Sequence, residues 1–365
     1  MASQVHFYFL TLSILYQIQF LFLGRGLLKP IKPIKEKGFI NTEPALLIVH
    51  HNDFSALEES LSHFHQVNTQ ARIKVYVLDD HSNQEVVQKL TILCDIFKAE
   101  LIASEADRGK KKALAWFLPQ IKEDYIIQID ADCKVDENFL PANLKVISTC
   151  SPDLIIGQVR MKPQSNIWSK LAALDHLSLQ LVTFSALKQN VVLMAAGASM
   201  AYRRESFLEY LSVGMEWAGG EDTFVAQAMA KDKKSIVPLP SAVVYTDAPK
   251  DFKHFIKQRL RWGAKSQAYP SKLAQALAIN VALLNLSIVL GTVLSAFLPV
   301  SSFLWTLFLY KVVADALLLY RYTELYGGAK LLQSYLILAL LYPVYISIVV
   351  LLLPFSAKGK WLASS

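Results

Sequence analysis

The sequence predicts an α/β fold, with a Rossmann-like mixed sheet in the middle of the chain and hydrophobic helices at both ends. Between about residues 40 and 270, short apolar runs alternate with helix-like segments, which is the pattern of βαβ units. Residues 276–300 and 331–357 contain no Asp, Glu, Lys or Arg. Each of these segments exceeds the roughly 20 apolar residues that cross a bilayer as a helix.

The first hydrophobic segment covers residues 5–23. A cleaved signal peptide is the alternative interpretation, but the segment has no basic region before it and no small-x-small cleavage site. We therefore expect residues 1–24 to be a retained transmembrane anchor. By the positive-inside rule, the basic residues that follow place the next part of the chain in the cytoplasm. These residues are Arg25, Lys29, Lys32, Lys35 and Lys37.

At the other end of the chain we expect a transmembrane region over residues 274–356, with two or three spans. The segment between the two charge-free runs carries Lys311 and Asp315, which are four apart and could pair inside a helix bundle. We favour a span there, and a re-entrant or interfacial helix is the alternative. Four spans in all would place Lys358 and Lys360 outside, against the positive-inside rule. Three and four spans both stay open.

The hydrophobic fraction of 53% and the net charge of +7 limit the classes to which the protein can belong. A basic chain could bind nucleic acid, but attraction to anionic lipid headgroups explains the basic run next to the membrane more simply. We expect a membrane partner and no nucleic acid. Cys94, Cys133 and Cys150 show neither paired spacing nor a CxxC motif, which favours reduced thiols in the cytosol.

The central region shows alternating strand and helix patterns. Ser55, followed three residues later by Glu58, has the spacing of a capping box at the start of the first helix. Parallel open sheets bind ligands beyond the carboxyl ends of their strands. The predicted elements are, in chain order, a strand at 45–50, a helix at 55–67, a strand at 73–78, a helix at 83–98, a strand at 101–103, a helix at 110–121, a strand at 125–129, and helices at 166–188 and 251–269.

Asp130 and Asp132 follow a buried strand directly, with Ala131 between them. Two carboxylates in this arrangement can bind Mg²⁺ or Mn²⁺ together with substrate phosphates. The cation would neutralise a departing diphosphate. An Asx turn at the end of a strand is the alternative.

Asp79 and Asp80 follow the predicted strand at 73–78 and can accept hydrogen bonds from the nucleobase or ribose of a donor. A turn followed by a helix N-cap at Asp80 or Ser82 is the alternative. It explains one acidic residue more readily than two adjacent ones.

Lys110 follows Gly109 at the predicted start of a helix. A lysine there could bind a diphosphate with help from the helix N-terminus. Its neighbours Lys111 and Lys112 allow a second interpretation, a solvated basic face.

Glu221 and Asp222 follow two glycines, which let the backbone approach a ligand closely. A carboxylate here could deprotonate an acceptor hydroxyl as a general base. Acidic residues also favour helix N-termini, and the pattern from Thr223 onwards is helical. Both interpretations can hold together.

Residues 251–272 form a basic, aromatic segment that predicts an amphipathic helix at the membrane interface. Gln258, Arg261 and Trp262 share one face of this helix, where the guanidinium could bind diphosphate oxygens and the indole could stack on a sugar. Arg259 is expected to point towards lipid headgroups or solvent. A surface helix with snorkelling arginines is the alternative.

These clusters, in this order, resemble membrane-bound glycosyltransferases of family 2, the branch with cellulose, chitin, hyaluronan and poly-N-acetylglucosamine synthases and ceramide glucosyltransferases. The resemblance covers about residues 43–265. The early Asp motifs, DxD, ED pair and QxxRW of that family are matched by Asp79-Asp80, Asp130/Asp132, Glu221-Asp222 and Gln258/Arg261/Trp262. Its GK-x-x-AL segment is similar to Gly109-Lys110 with Ala113-Leu114, and its acceptor-side G-x-x-x-A-[YF]-R-R is similar to Gly197, Ala201, Tyr202, Arg203 and Arg204.

The resemblance implies a GT-A fold over about residues 40–250, an inverting single displacement, a nucleotide-sugar donor and a divalent cation, Mg²⁺ or Mn²⁺. It also implies that Asp222 is the base. The chain departs from the family at two loops that adjoin the donor nucleotide. The usual P-x-x-N-E is Val49 to Asp53 here, and His81 replaces a glycine.

The expected function is therefore transfer of a sugar, from UDP-glucose or UDP-N-acetylglucosamine, to a hydroxyl of a lipid or glycan acceptor. We expect a multi-pass protein of the inner or plasma membrane with its catalytic domain in the cytoplasm. A processive polysaccharide synthase subunit and an inert membrane scaffold are the alternatives. The sequence predicts no particular partner subunit.

Overall fold

The computed structural model describes residues 2–31, 42–68, 73–217, 219–295 and 302–355. These residues form two compact units. The sheet unit comprises the described parts of residues 31–162 and 194–247, and the helical unit those of residues 1–30, 163–193 and 248–359. Residues 163–193, inside the predicted transferase range of 40–250, group with the helical unit.

The strands of the described chain all belong to the sheet unit. They are β1 (Pro44–His50), β2 (Lys74–Asp79), β3 (Glu100–Ala103), β4 (Tyr125–Asp130), β5 (Lys134–Val135), β6 (Leu154–Lys162), β7 (Met200–Arg203) and β8 (Ile236–Asp247).

The α-helices are distributed over both units. They are α1 (Ala2–Leu28), α2 (Phe54–Val67), α3 (Gln84–Phe97), α4 (Lys110–Phe117), α5 (Phe139–Cys150), α6 (Ile167–Leu187), α7 (Arg204–Tyr210), α8 (Glu221–Lys231), α9 (Phe252–Ser266), α10 (Lys272–Leu294), α11 (Ser302–Tyr326) and α12 (Tyr335–Leu352).

The sheet is mixed, as predicted, with the strand order β3-β2-β1-β4-β7-β6-β8-β5. Strands β3, β2, β1 and β4 run parallel. β7 runs antiparallel to both β4 and β6, and β8 is parallel to β6. In register, His50 lies opposite Asp79, and Val49 lies opposite Asp130. The two acidic pairs therefore meet at one carboxyl edge, on either side of β1.

The continuous apolar runs of the parallel strands form these strands because both faces of the sheet are covered. Leu46, Leu47 and Ile48 of β1 are fully buried. Alternate residues of β1 pack into one core with α2, α3 and α5. Burying each such side chain contributes roughly 2 kcal/mol.

The predicted cap of the first helix after the anchor is wrong. Helix α2 begins at Phe54, and the carboxylate of Asp53 accepts a hydrogen bond from Ala56 N at 3.2 Å. Ser55 lies inside the first turn and is exposed. Asp53 takes the cap position because its side chain stands directly before the first helical residue, where it reaches the free N–H groups.

In the helical unit, three helices of the described chain are long and apolar enough to span a membrane: Phe7–Leu28, Lys272–Leu294 and Ala329–Phe355. Helix α11, for which we favoured a fourth span, is one continuous helix but is not among them. The expected pair on α11 is present, with Lys311 Nζ 2.5 Å from Asp315 Oδ2. Tyr16 of α1 donates a hydrogen bond to the same carboxylate at 2.6 Å.

Candidate active site

Asp79 lies at the end of β2 and is buried. His50 Nδ1 lies 3.1 Å from its Oδ1, which also accepts a hydrogen bond from the Ser82 hydroxyl at 2.5 Å. Its Oδ2 accepts one from the backbone N–H of Ser82 at 3.0 Å. Burial acts to raise the pKa of Asp79, but the hydrogen bonds from His50 and Ser82 hold that pKa below its ordinary value. The carboxylate is thus ionised and orders the loop after β2.

Asp80 connects that loop to the start of α4. Both of its carboxylate oxygens accept a hydrogen bond from Gly109 N, at 3.0 and 2.9 Å. Gly109 has φ +135°, a conformation that side chains oppose. Asp80 therefore fixes the glycine that precedes Lys110, so the two acidic residues of this pair have different structural partners.

His81, which stands where the resembled family has glycine, has φ +62°. A non-glycine residue in the left-handed region carries a strain of roughly 1 kcal/mol. We expect His81→Gly to leave the thermal unfolding midpoint within a few degrees of the wild type. The relief of backbone strain in the folded state offsets the larger conformational entropy that glycine gives to the unfolded chain. His81→Val should lower it clearly, since a β-branched residue fits this conformation poorly. Differential scanning fluorimetry of the detergent-solubilised protein checks both, and equal midpoints for the two variants would contradict the strain.

Lys110 joins three of the predicted motifs. Its Nζ lies 2.6 Å from Asp130 Oδ1 and 3.1 Å from Glu221 Oε1. Desolvation acts to lower the pKa of Lys110, but the charges of Asp130 and Glu221 raise it well above its ordinary value. The side chain is 21% exposed, and it brings the GK, DxD and ED segments together.

The second interpretation of this lysine run, a solvated basic face, fits only one of its members. Lys111 is buried and donates to Gly214 O, with its ammonium 4.6 Å from the centre of the Phe224 ring. Lys112 is exposed and pairs with Asp107 at 2.9 Å.

Asp132 stands beside the end of β8, where Thr246 donates a hydrogen bond to its Oδ2 at 3.3 Å. Partial desolvation by the surrounding atoms raises the pKa of Asp132, and the charge of Asp130 raises it further. The neighbour Thr246 was not predicted, because nothing in the sequence indicates that the end of β8 reaches the DxD turn.

The carboxylate oxygens of Asp130 and Asp132 suit a divalent cation that also binds a substrate. The charge of Asp130 lies close enough to raise the pKa of Asp132, and a bound cation would relieve this repulsion. Among the described residues no group of three or more His, Cys, Asp and Glu side chains could hold a metal. The two carboxylates therefore fit Mg²⁺ or Mn²⁺ that takes its other ligands from phosphate and water, not an all-protein cage.

Asp222 lies at the start of α8, half-buried, and its carboxylate faces Gly197. Its Oδ2 accepts a hydrogen bond from Gly197 N at 2.9 Å, and its Oδ1 accepts one from Thr223 N at 2.7 Å. Gly220 caps this helix with φ +80°, which favours glycine. Glu221, one residue earlier, is buried and faces Lys110. The two acidic residues thus have separate positions.

In the segment that is similar to the family's acceptor-side motif, Gly197 contacts Asp222. Arg203 and Arg204, however, do not lie at the carboxyl edge of the sheet that carries Asp130. Arg203 lies opposite Tyr125, at the beginning of β4 and not at its carboxyl end. Arg204 donates to Glu123 O at 3.0 Å. The antiparallel β7 carries both arginines away from Asp130.

Gln258, Arg261 and Trp262 lie on α9 in the helical unit. Arg261 is exposed, while Gln258 and Trp262 are half-buried. The expectation for Arg259 is wrong: it is buried and bound to Asp175 of α6. A helical wheel predicts which residues share a face but not which face the neighbouring helices cover.

A family model described as glycosyltransferase-like family 2 matches residues 45–264, more than half of the chain. An N-acetylglucosaminyltransferase of Rhizobium meliloti (strain 1021) is 22% identical over 201 residues, which cover 52% of this chain and 47% of that protein. This chain thus spans about half the length of its curated relative.

The solved structures that are similar to this chain include the following two. A mannosyltransferase, PcManGT from Pyrobaculum calidifontis in complex with GDP-Man and Mn²⁺, superposes with a TM-score of 0.60 at 16% identity and covers 98% of this chain and 99% of its own. Glucosyl-3-phosphoglycerate synthase from Mycobacterium tuberculosis, with Mn²⁺, UDP and glucosyl-3-phosphoglycerate, gives a TM-score of 0.42 at 15% identity over 64% of this chain and 82% of its own. The first likeness shows the GT-A fold. The family match, which covers more than half of the chain, identifies the chain as a member of glycosyltransferase family 2.

Proposed function

We propose that this protein is an inverting glycosyltransferase that moves a sugar from UDP-N-acetylglucosamine or UDP-glucose to a hydroxyl of a lipid or glycan acceptor at a membrane. The observation that carries the proposal is the position of Lys110 between Asp130 and Glu221. The ammonium of Lys110 between two acidic motifs, at the carboxyl edge of the sheet, supports the binding of a diphosphate there. The name of the curated relative supports N-acetylglucosamine as the first sugar to test.

On the donor side, the loops after β1 and β2 would hold the nucleoside, with Asp79 and Asp80 ordering them. Lys110 would bind a diphosphate oxygen in place of one of its present carboxylate partners. Asp130 and Asp132 would hold Mg²⁺ or Mn²⁺, which would supply positive charge to the leaving diphosphate when bound.

On the acceptor side, Asp222 would take the proton of the acceptor hydroxyl as general base. The hydroxyl oxygen would form a bond to the anomeric carbon while the bond from that carbon to the diphosphate oxygen breaks. The electron pair leaves with the nucleoside diphosphate, and the anomeric configuration inverts. Glu221 would act through Lys110 by orienting its ammonium, so it is a positioning residue.

Gln258, Arg261 and Trp262 would contribute to the diphosphate and acceptor sites from α9. The candidate membrane-spanning helices and the basic run after the first of them support a multi-pass protein whose catalytic unit faces the cytoplasm of an inner or plasma membrane. A lipid acceptor fits this location. A processive polysaccharide synthase uses the same chemistry and is the second candidate.

The test uses the full chain, purified in detergent and mixed with labelled UDP-N-acetylglucosamine or UDP-glucose and total membrane lipids. We expect nucleotide release that requires Mn²⁺ or Mg²⁺ and stops with EDTA. We expect the label to enter a chloroform-soluble product carrying one sugar. A water-soluble polymer would establish the synthase instead. Absence of transfer from either donor at every metal concentration would contradict the proposal and favour an inert scaffold.

A further inference from the structure

A buried polar cluster lies in the helical unit, where it joins the basic helix α9 to the largely apolar helices α6 and α12. It consists of Asp175 on α6, Arg259 on α9 and Tyr345 on α12, which are only 3%, 7% and 4% exposed. A buried ion pair costs free energy to desolvate and is weak evidence of a stabilising role. Its position next to Gln258 and Trp262 indicates another role.

The guanidinium of Arg259 has a partner at each nitrogen. Its Nε donates to Asp175 Oδ2 at 2.6 Å, and one terminal nitrogen contacts the same carboxylate and Ala172 O. The other terminal nitrogen donates to Gln258 Oε1 at 2.7 Å. The guanidinium carbon lies 4.5 Å from the centre of the Trp262 ring. One arginine thus contacts two side chains of the QRLRW segment at once.

The carboxylate that binds Arg259 is itself held from another helix. Tyr345 of α12 donates its hydroxyl hydrogen to Asp175 Oδ1, so each oxygen of Asp175 has its own partner. Helix α12 lies within a candidate membrane span, Ala329–Phe355. The contacts therefore run from that span through Asp175 and Arg259 to the side chains of Gln258 and Trp262.

We propose that Asp175, Arg259 and Tyr345 are positioning residues that hold Gln258 and Trp262 in one orientation for the transfer reaction. The expected effect on sugar transfer rests on the proposed function, whereas the expected effect on the orientation of Gln258 and Trp262 does not. Lysine cannot replace Arg259, because a single ammonium cannot bind Asp175 and Gln258 and stack on an indole at the same time. Displacing such groups by about 1 Å can reduce transfer roughly a hundredfold.

The experiment places a spin label on α9 at Lys257→Cys, an exposed position next to the motif. The native cysteines within the described chain are all buried, so the label reacts selectively. A label at the exposed Tyr320→Cys on α11 is the matched control site. Electron paramagnetic resonance spectra of the full chain in lipid nanodiscs are compared for wild type, Asp175→Asn and Tyr345→Phe. Nucleotide release from UDP-N-acetylglucosamine with Mn²⁺ is measured alongside.

We expect the label at position 257 to become more mobile in both variants, with the label at position 320 unchanged. Transfer should fall by about tenfold or more in Asp175→Asn and by less in Tyr345→Phe. An unchanged spectrum at position 257 in both variants would overturn the inference, as would equal loosening at both labelled positions. If Asp175→Asn does not fold, Tyr345→Phe decides alone. If the wild type itself transfers no sugar, the proposed function fails, while the spectra still decide whether the cluster positions α9.

Discussion

Asp222→Asn is expected to lower sugar transfer by about a thousandfold, because a positioned general base contributes roughly 10² to 10⁴ in rate. The amide has nearly the volume of the carboxylate but cannot take the proton of the acceptor hydroxyl. The donor should still bind, since Lys110, Asp130 and Asp132 are unchanged. Steady-state transfer and donor binding, the latter by isothermal titration calorimetry with Mn²⁺ and UDP, measure the two effects separately.

The matched control for this substitution is Asp95→Asn, on the exposed face of α3 in the same unit. It should transfer sugar at the wild-type rate. The fold of Asp222→Asn is monitored by its unfolding midpoint, because the carboxylate accepts hydrogen bonds from Gly197 and Thr223. Transfer within about threefold of the wild type, in a protein that binds UDP normally, would remove Asp222 as the base.

The parallel half of the sheet was predictable from the sequence because its strands are covered on both faces. Continuous apolar runs such as Ala45–Val49 and Tyr125–Ile127 have few alternative structures. Their parallel arrangement then placed Asp79 and Asp130 at the same edge. The strands of the other half of the sheet, β7, β6 and β8, were not predicted. Their pairing depends on partners distant in the chain, which local patterns do not contain.

The candidate site was predictable as a set of residues but not as a set of contacts. The sequence indicated Lys110, Asp130 and Glu221 separately, and the meeting of all three depends on how α4, β4 and α8 pack. For Arg259, nothing in the sequence indicated its buried position. Its burial against Asp175 depends on α6, which periodicity predicts as a helix without indicating the helix it faces.

Lys110→Gln is expected to have the second-largest effect, and it should change both rate and stability. The variant lacks the ammonium that would bind the departing diphosphate, which should reduce transfer by roughly a hundredfold. The buried carboxylate of Glu221 loses the ammonium that lies 3.1 Å from it, which should lower the free energy of unfolding by about 2 kcal/mol. Transfer assays and the thermal midpoint measure these changes. Lys112→Gln, which removes an exposed pair with Asp107, should leave the thermal midpoint unchanged, because exposed ion pairs contribute little to stability.

The double variant Lys110→Gln with Glu221→Gln separates the two consequences. The second substitution removes the negative charge that faced Lys110, so most of the lost stability should return, since replacing both partners of a pair costs less than replacing one. Transfer should not return, because the diphosphate still lacks its cation. Recovery of transfer together with stability would mean that Lys110 serves only to neutralise Glu221. A single variant as stable as the wild type would mean that the pair with Glu221 contributes little. The two results therefore decide whether this lysine binds the donor or only holds the acidic motifs together.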